Sequence, residues 1–187
     1  QEYVDCVHAQ DDMASYKQLI TNAAQQLKTL NADFICLCSN TAHLVVPAIE
    51  QPNLALPPVL HIADCCALHI KKTSPSIRRI ALLGTIFTMS KPFLSDRLKQ
   101  HDFEVFVPED TDQQQQIQTI IEQELSLNIT TEESKKFFIF CIEQLVRKYN
   151  VEGVILGCTE IPLLIKQKDV DHMNILVLDS TDIHVTE

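Results

Sequence analysis

Apolar and polar positions along the 187-residue chain alternate between a helical period and short unbroken apolar runs. Residues 12–30, "DMASYKQLITNAAQQLKTL", place Leu19, Ile20, Ala23, Leu27 and Leu30 at helical spacing. The run at 33–38 predicts a short strand. A helix follows within 41–50, where Pro47 either marks the first turn or kinks it. "PPVLHIAD" (57–64) reads as a second strand that feeds a helix to about Lys72, and "TSPS" (73–76) as a linker. The pattern then restarts with a strand at 78–84, a helix at 88–100 and a strand at 103–108. Helices at 112–127 and 131–149, a strand at 151–158, a helix opening in "TEIPLLIK" and a strand at 174–179 complete it. Strands alternating with helices predict a parallel sheet covered on both faces, and strands that are continuously apolar are what such a sheet requires.

Two stretches repeat each other. "FICLCSNTAHLVVPAI" and "VILGCTEIPLLI" are each a strand, a cysteine, a nearby threonine and a helix with a proline. Each is followed by a second strand ending in aspartate, Asp64 after Cys38 and Asp179 after Cys158. An internal repeat of this size predicts two copies of one folding unit. The expected architecture is therefore α/β, with two pseudo-symmetric lobes, each a mostly parallel sheet flanked by helices. Residues 1–76 form the first lobe, completed by about 172–187, and 77–171 form the second. Fewer residues precede the first cysteine than its repeat implies. The first lobe is thus expected to lack its N-terminal part and to leave a sheet edge or groove open beside the strand at 33–38.

The repeated thiols carry the candidate chemistry. In open α/β sheets, ligands bind beyond the carboxyl ends of the strands, where Cys38 and Cys158 lie. Both also precede helix starts, whose free N–H groups and dipole favour a thiolate. Two lobes related by a pseudo-twofold axis would face the thiols across a cleft. One would remove a proton from a carbon while the other returned one, inverting the centre. A thiol, with an ordinary pKa of about 8.5 that a helix start lowers, can be either base or acid near neutral pH.

Composition narrows the partners. The net charge of −10 argues against nucleic acid or an anionic membrane surface. No apolar run reaches the roughly 18 residues of a membrane span. "QEYVDCVHAQDD" lacks the basic start and apolar stretch of a signal peptide. Seven cysteines, an odd number, lie mostly in apolar runs and read as reduced thiols of a cytoplasmic protein. Cys36 reads as core. Cys36, Cys38, His61, Cys65, Cys66 and His69 match no common zinc spacing, so no metal is expected. His43 reads as a polar residue of the first helical turn, and Asp64 and Asp179 as helix caps or groups supporting the site. Thr85 and Thr88 follow a strand end and are candidates to line the cleft. "TDQQQQIQ" and "IEQELS" read as solvated helix faces without chemistry.

"CSNTAH" and "ILGCTEIPLL" resemble the two cysteine motifs of the PLP-independent aspartate/glutamate racemase superfamily, its aspartate racemase branch in particular. "ALLGTIFTM" and "LDSTDIH" also resemble segments of that branch, so the likeness runs over essentially the whole chain. It implies racemisation of aspartate or glutamate without a cofactor, with Cys38 and Cys158 as the acid/base thiols. It further implies that Asn40, Thr41 and Thr159 hold the α-carboxylate, helped by backbone N–H groups, and that Glu160 orients the amino group. A homodimer is common in that family. The strand and glycine-rich turn with which its members open have no match here. Near 131, where similar members carry a basic residue, this chain reads "NITTEES". Two alternatives are carried: another small-dicarboxylate enzyme of the superfamily, an isomerase or decarboxylase, and an inactive fragment or binding protein with this fold.

Overall fold

A computed structural model describes residues 13–186. The readings made on residues 1–12, including Cys6 as a reduced thiol, lie outside the described residues. The chain forms two compact units. The smaller runs to Leu37 and takes in Ala42–His61; the larger holds Cys38–Thr41 and everything from Ile62 onward.

In the smaller unit, helix α1 (Met13–Thr29) is followed two residues on by Asn31, whose φ of 57° is left-handed backbone that asparagine tolerates. Strand β1 (Ile35–Cys36) is followed by a 3₁₀ turn (Thr41–Val45), helix α2 (Val46–Ile49) and strand β2 (Val59–Leu60). Pro47 sits in the first turn of α2, where its missing N–H has no helical partner to lose. β1 and β2 pair in parallel, Ile35 with Val59 and Cys36 with Leu60. Tyr16, Ala24, Ile35, Leu37, Ala42, Val45, Val46, Ile49 and Val59 close the core. Both strands are shorter than their apolar runs. Phe34 is 57 % exposed and Cys36 is also exposed, so Cys36 is not a core residue as its apolar neighbours suggested. In so short a strand Ile35 and Leu37 point inward, and the residues between and beside them point out.

The larger unit opens with α3 (Ile62–Thr73), so Asp64 belongs to a helix's first turn and not to a strand end. It continues with β3 (Arg79–Gly84), α4 (Ile86–Ser90), α5 (Pro92–Gln100), β4 (Glu104–Phe106), α6 (Thr111–Gln123) and α7 (Glu132–Tyr149). β5 (Gly153–Gly157), α8 (Ile161–Leu164), α9 (Gln167–Val170), β6 (Leu176–Asp179) and α10 (Ser180–Thr186) follow. The four strands are parallel in the order β4-β3-β5-β6. Ala81, Leu83, Val154 and Leu156 pack with Ile117, Phe138, Cys141 and Ile142 of α6 and α7. Ile80, Leu82 and Ile155, one residue out of phase, are buried too, and helices α3 and α10 pack on each other. β3 and β5 are thus covered on both faces, which is why their sequences read as unbroken apolar runs. This is the parallel α/β architecture the sequence implied. β6, within the segment expected to complete the first lobe, pairs with β5 in this sheet.

Asp64 joins α3 to α5. Arg97 donates to both of its oxygens, at 2.7–3.0 Å, and His101 Nε2 lies 2.8 Å from Oδ1. Asp179 caps α10, accepting from the N–H groups of Thr181 and Asp182. Two polar runs do more than face solvent. Gln118 Oε1 accepts from Ile86 N at 2.8 Å at the start of α4, and Glu124 accepts from the hydroxyls of Thr131 and Ser134. No described helix is long and apolar enough to cross a membrane.

Candidate active site

The strand order places a switch point between β3 and β5, since the chain leaves β3 for β4 on one side and returns to β5 on the other. In parallel α/β sheets the crevice beyond such a point is where ligands bind. β3 and β5 end in register at Gly84 and Gly157. Their close approach requires glycine at both positions. A Cβ on Gly84 would lie 2.7 Å from the Gly157 carbonyl oxygen, and one on Gly157 would lie 2.9 Å from Thr88 Cγ2. Directly after this pair come Thr85 and Cys158, so two of the expected site residues stand at neighbouring strand ends. Thr85 caps α4: its Oγ1 accepts from Thr88 N at 3.3 Å and lies 3.1 Å from the buried Thr88 hydroxyl.

Cys158 is 6 % exposed and its Sγ–H donates to Glu160 Oε2 at 2.9 Å. Burial pushes the Cys158 thiol up to about 12. The Glu160 carboxylate adds to this as acceptor and as a nearby negative charge, while the backbone N–H groups of Glu160 and Ile161 pull the other way. The expectation that the helix start would lower this thiol is therefore overturned. The helix α8 is one turn long and contributes little dipole, whereas removal from water and a carboxylate at 2.9 Å both favour the neutral form. Glu160 is half-buried and Thr159 is exposed.

Cys38 differs in setting: its side chain is exposed and it follows a strand of two residues. Its segment, Cys38–Thr41, packs with the larger unit although the chain on either side belongs to the smaller one. The link is Asn40, 4 % exposed, whose Nδ2 donates to Ser180 Oγ at 3.1 Å. Ser180 Oγ donates in turn to the Leu156 carbonyl at 2.7 Å, two residues before Cys158. Thr41 is half-buried and opens the 3₁₀ turn. His43 lies in the 3₁₀ turn Thr41–Val45, the first helical turn after β1, and is fully buried in the smaller unit, its ring 4.6 Å from that of His61. Among the described residues no three His, Cys, Asp or Glu side chains gather as metal ligands. Ser180 and Gln118 were not singled out in the sequence. Ser180 lay within a matching segment, "LDSTDIH", but nothing local marks a hydroxyl whose partner is 140 positions away.

Known proteins agree with this frame. A chain from Yersinia pestis described as a candidate Asp/Glu racemase is 38 % identical, with 97 % of this chain and 75 % of that one covered and a TM-score of 0.83. An aspartate racemase homologue from Pyrococcus horikoshii is 33 % identical over 95 % of this chain and 74 % of its own, with a TM-score of 0.78. An aspartate racemase from Picrophilus torridus shares the fold at 24 % identity, covering 97 % of this chain and 71 % of that one, TM-score 0.71. The family model for Asp/Glu/hydantoin racemases matches residues 3–187. With paired strand ends that present a buried cysteine, and relatives of this kind along its whole length, the chain belongs to the Asp/Glu/hydantoin racemase family.

Proposed function

We propose that this chain racemises an acidic amino acid, aspartate or glutamate, without PLP or metal, by proton transfer between two thiols at Cα. One observation carries the reading: the segment bearing Cys38 packs into the same compact unit as Cys158, the residue that directly follows the central strand β5. Family membership supports racemase chemistry in general, and the likeness to aspartate racemase homologues supports an acidic substrate. In this reading Cys158 rests as the thiol that delivers a proton, because burial and Glu160 favour its neutral form. Cys38 is the base in the matching state, and the roles exchange for the opposite enantiomer. Thr41, Thr159 and Thr85 supply hydroxyls at the strand ends to hold the substrate carboxylates. No two of the described cysteines are joined in a disulfide, which supports a reducing, cytoplasmic setting.

The test is incubation of the protein with each enantiomer of aspartate and glutamate in deuterated buffer free of PLP and metal. Optical rotation should decay to zero while deuterium enters Cα. Absence of both for all four substrates, or dependence on added PLP, overturns the reading. Turnover of another small acid without racemisation would move the chain to a different reaction.

A further inference from the structure

Asn40 is buried, yet only half of its amide is used. Nδ2 donates to Ser180 Oγ, while Oδ1 is buried with no partner among the described residues. A buried acceptor left unsatisfied is costly, and in a functional region it points to a missing donor. The orientation of the amide follows from Ser180. That hydroxyl has one proton, and at 2.7 Å from the Leu156 carbonyl, which can only accept, the proton is committed there. Ser180 therefore turns lone pairs toward Asn40. The atom of Asn40 facing it must be the donating NH₂, and the carbonyl oxygen must face away.

We infer that Ser180 is a positioning residue: it locks the Asn40 side chain so that the site is offered a hydrogen-bond acceptor, matched to an N–H donor such as a substrate ammonium. The identity of that donor rests on the racemase reading; the lock itself does not. An acceptor oxygen repels a carboxylate. The side chain of Asn40 then serves the amino group, and the α-carboxylate is left to Thr41, Thr159 and backbone N–H groups. Ser180 also ties the Asn40 segment to the end of β5, two residues before Cys158. The same hydroxyl thus fixes the angle of the amide and the place of the loop that follows Cys38.

Two measurements test this on the whole chain. The first is the side-chain ¹⁵N–¹H signal of Asn40, assigned by its loss in Asn40→Ala. In Ser180→Ala this signal should shift and its protons exchange faster with water, and Ser180→Thr should restore both. An Asn40 signal unchanged by Ser180→Ala overturns the lock whether or not the protein racemises anything. The second is binding at chemical equilibrium of racemic aspartate and glutamate against succinate and glutarate, which lack only the amino group. Ser180→Ala should weaken amino-acid binding about tenfold and leave the diacids unchanged, as should Asn40→Ala, since a hydrogen bond to a charged group is at stake. The double variant should be no worse than Asn40→Ala, because Ser180 acts only through Asn40. Equal weakening of both ligand classes, or a further loss in the double variant, overturns the inference. If wild type binds neither amino acid while the Asn40 signal responds as expected, the racemase reading falls and the lock stands.

Discussion

The two cysteine segments began as matching stretches of sequence and ended in unlike surroundings. Cys158 follows a five-residue strand buried along its whole length, held by register with β3 on one side and β6 on the other. Cys38 follows two residues of strand paired with two others, and its side chain is exposed. Near Cys158 a carboxylate accepts the thiol's proton at 2.9 Å. Near Cys38 the organising group is a neutral amide, Asn40, anchored from Ser180. Symmetric chemistry does not need symmetric resting states. A reaction that swaps acid and base works if one thiol starts protonated and the other starts as the acceptor. The chain gives one of the two a strong preference for its proton.

The most severe way to break this comparison is to remove each thiol in turn. Cys38→Ser and Cys158→Ser should each lower inversion of the proposed substrates by about 10²–10⁴-fold, the usual contribution of a positioned acid or base. Serine at 158 keeps a hydroxyl that can still donate to Glu160, so the fold around it should survive. Each variant retains one thiol, so each should still exchange the Cα proton of a single enantiomer with solvent, and that enantiomer should differ between them. The measurement is ¹H NMR of deuterium uptake from separate D and L stocks. Wild-type inversion in both variants would end the two-thiol account.

How much of this was legible beforehand depended on how local the cause was. β3 and β5 were readable to within about two residues, because burial on both faces leaves an apolar run with no polar interruption. β1 and β2 read as longer than they are, because an apolar run cannot say how many of its residues find a pairing partner. Asp64 reads as a strand end but lies inside a helix, where Arg97 of α5 and His101, the residue just after α5, meet it. Cys158 and Glu160 were both singled out from sequence. The direction of the thiol's shift was not, because a helix start and a carboxylate push opposite ways and only their distances decide. Gln118, within a run of glutamines that looked like a solvated face, satisfies the first N–H of α4. Ser180 was beyond reach for a related reason: its role exists only once the chain is folded.

A smaller effect, on stability, sharpens the contrast through pH. A thiol of the unfolded chain titrates at about 8.5 to 9.0, and in the folded protein Cys158 and Cys141 are both pushed up to about 12, chiefly by burial. Cys66 is raised by burial as well, with Cys65 and Asp179 adding to it. Below about pH 8.5 folded and unfolded chains alike keep these protons, and the stability they confer is fully present. Between about 9 and 12 only the unfolded chain releases them, so stability falls as pH rises, by about 1.4 kcal/mol per pH unit for each thiol. Urea titrations at pH 7.5, 9.5 and 10.5, spanning that window, should record the decline. Cys158→Ser should lessen its slope by about one thiol's share. A slope the same in that variant as in wild type would mean the thiol is not held protonated by the fold.

The least disruptive test leaves both thiols in place and changes only the charge beside one. Glu160→Gln keeps an acceptor near Cys158 Sγ and removes the negative charge that opposes thiolate formation. The Cys158 value should fall yet stay above the ordinary 9.0, because burial is the larger cause and the substitution does not touch it. Thiolate absorbance against pH, with Cys158→Ser as the subtracted baseline, measures this directly. The kinetic consequence is constrained by thermodynamics. Racemisation has an equilibrium constant of one, so kcat/KM must remain equal for the two enantiomers whatever the residue at 160. A difference between D and L can appear only as kcat and KM moving together, by different amounts for the two, while the effect common to both is an alkaline limb of the rate profile moved to lower pH. With both proposed acid/base thiols retained, the loss at neutral pH should be about tenfold or less, well short of either thiol substitution. An alkaline limb that stays put while the Cys158 value falls would mean that this proton is not the one transferred, and the difference between the two cysteine segments would then be a matter of packing alone.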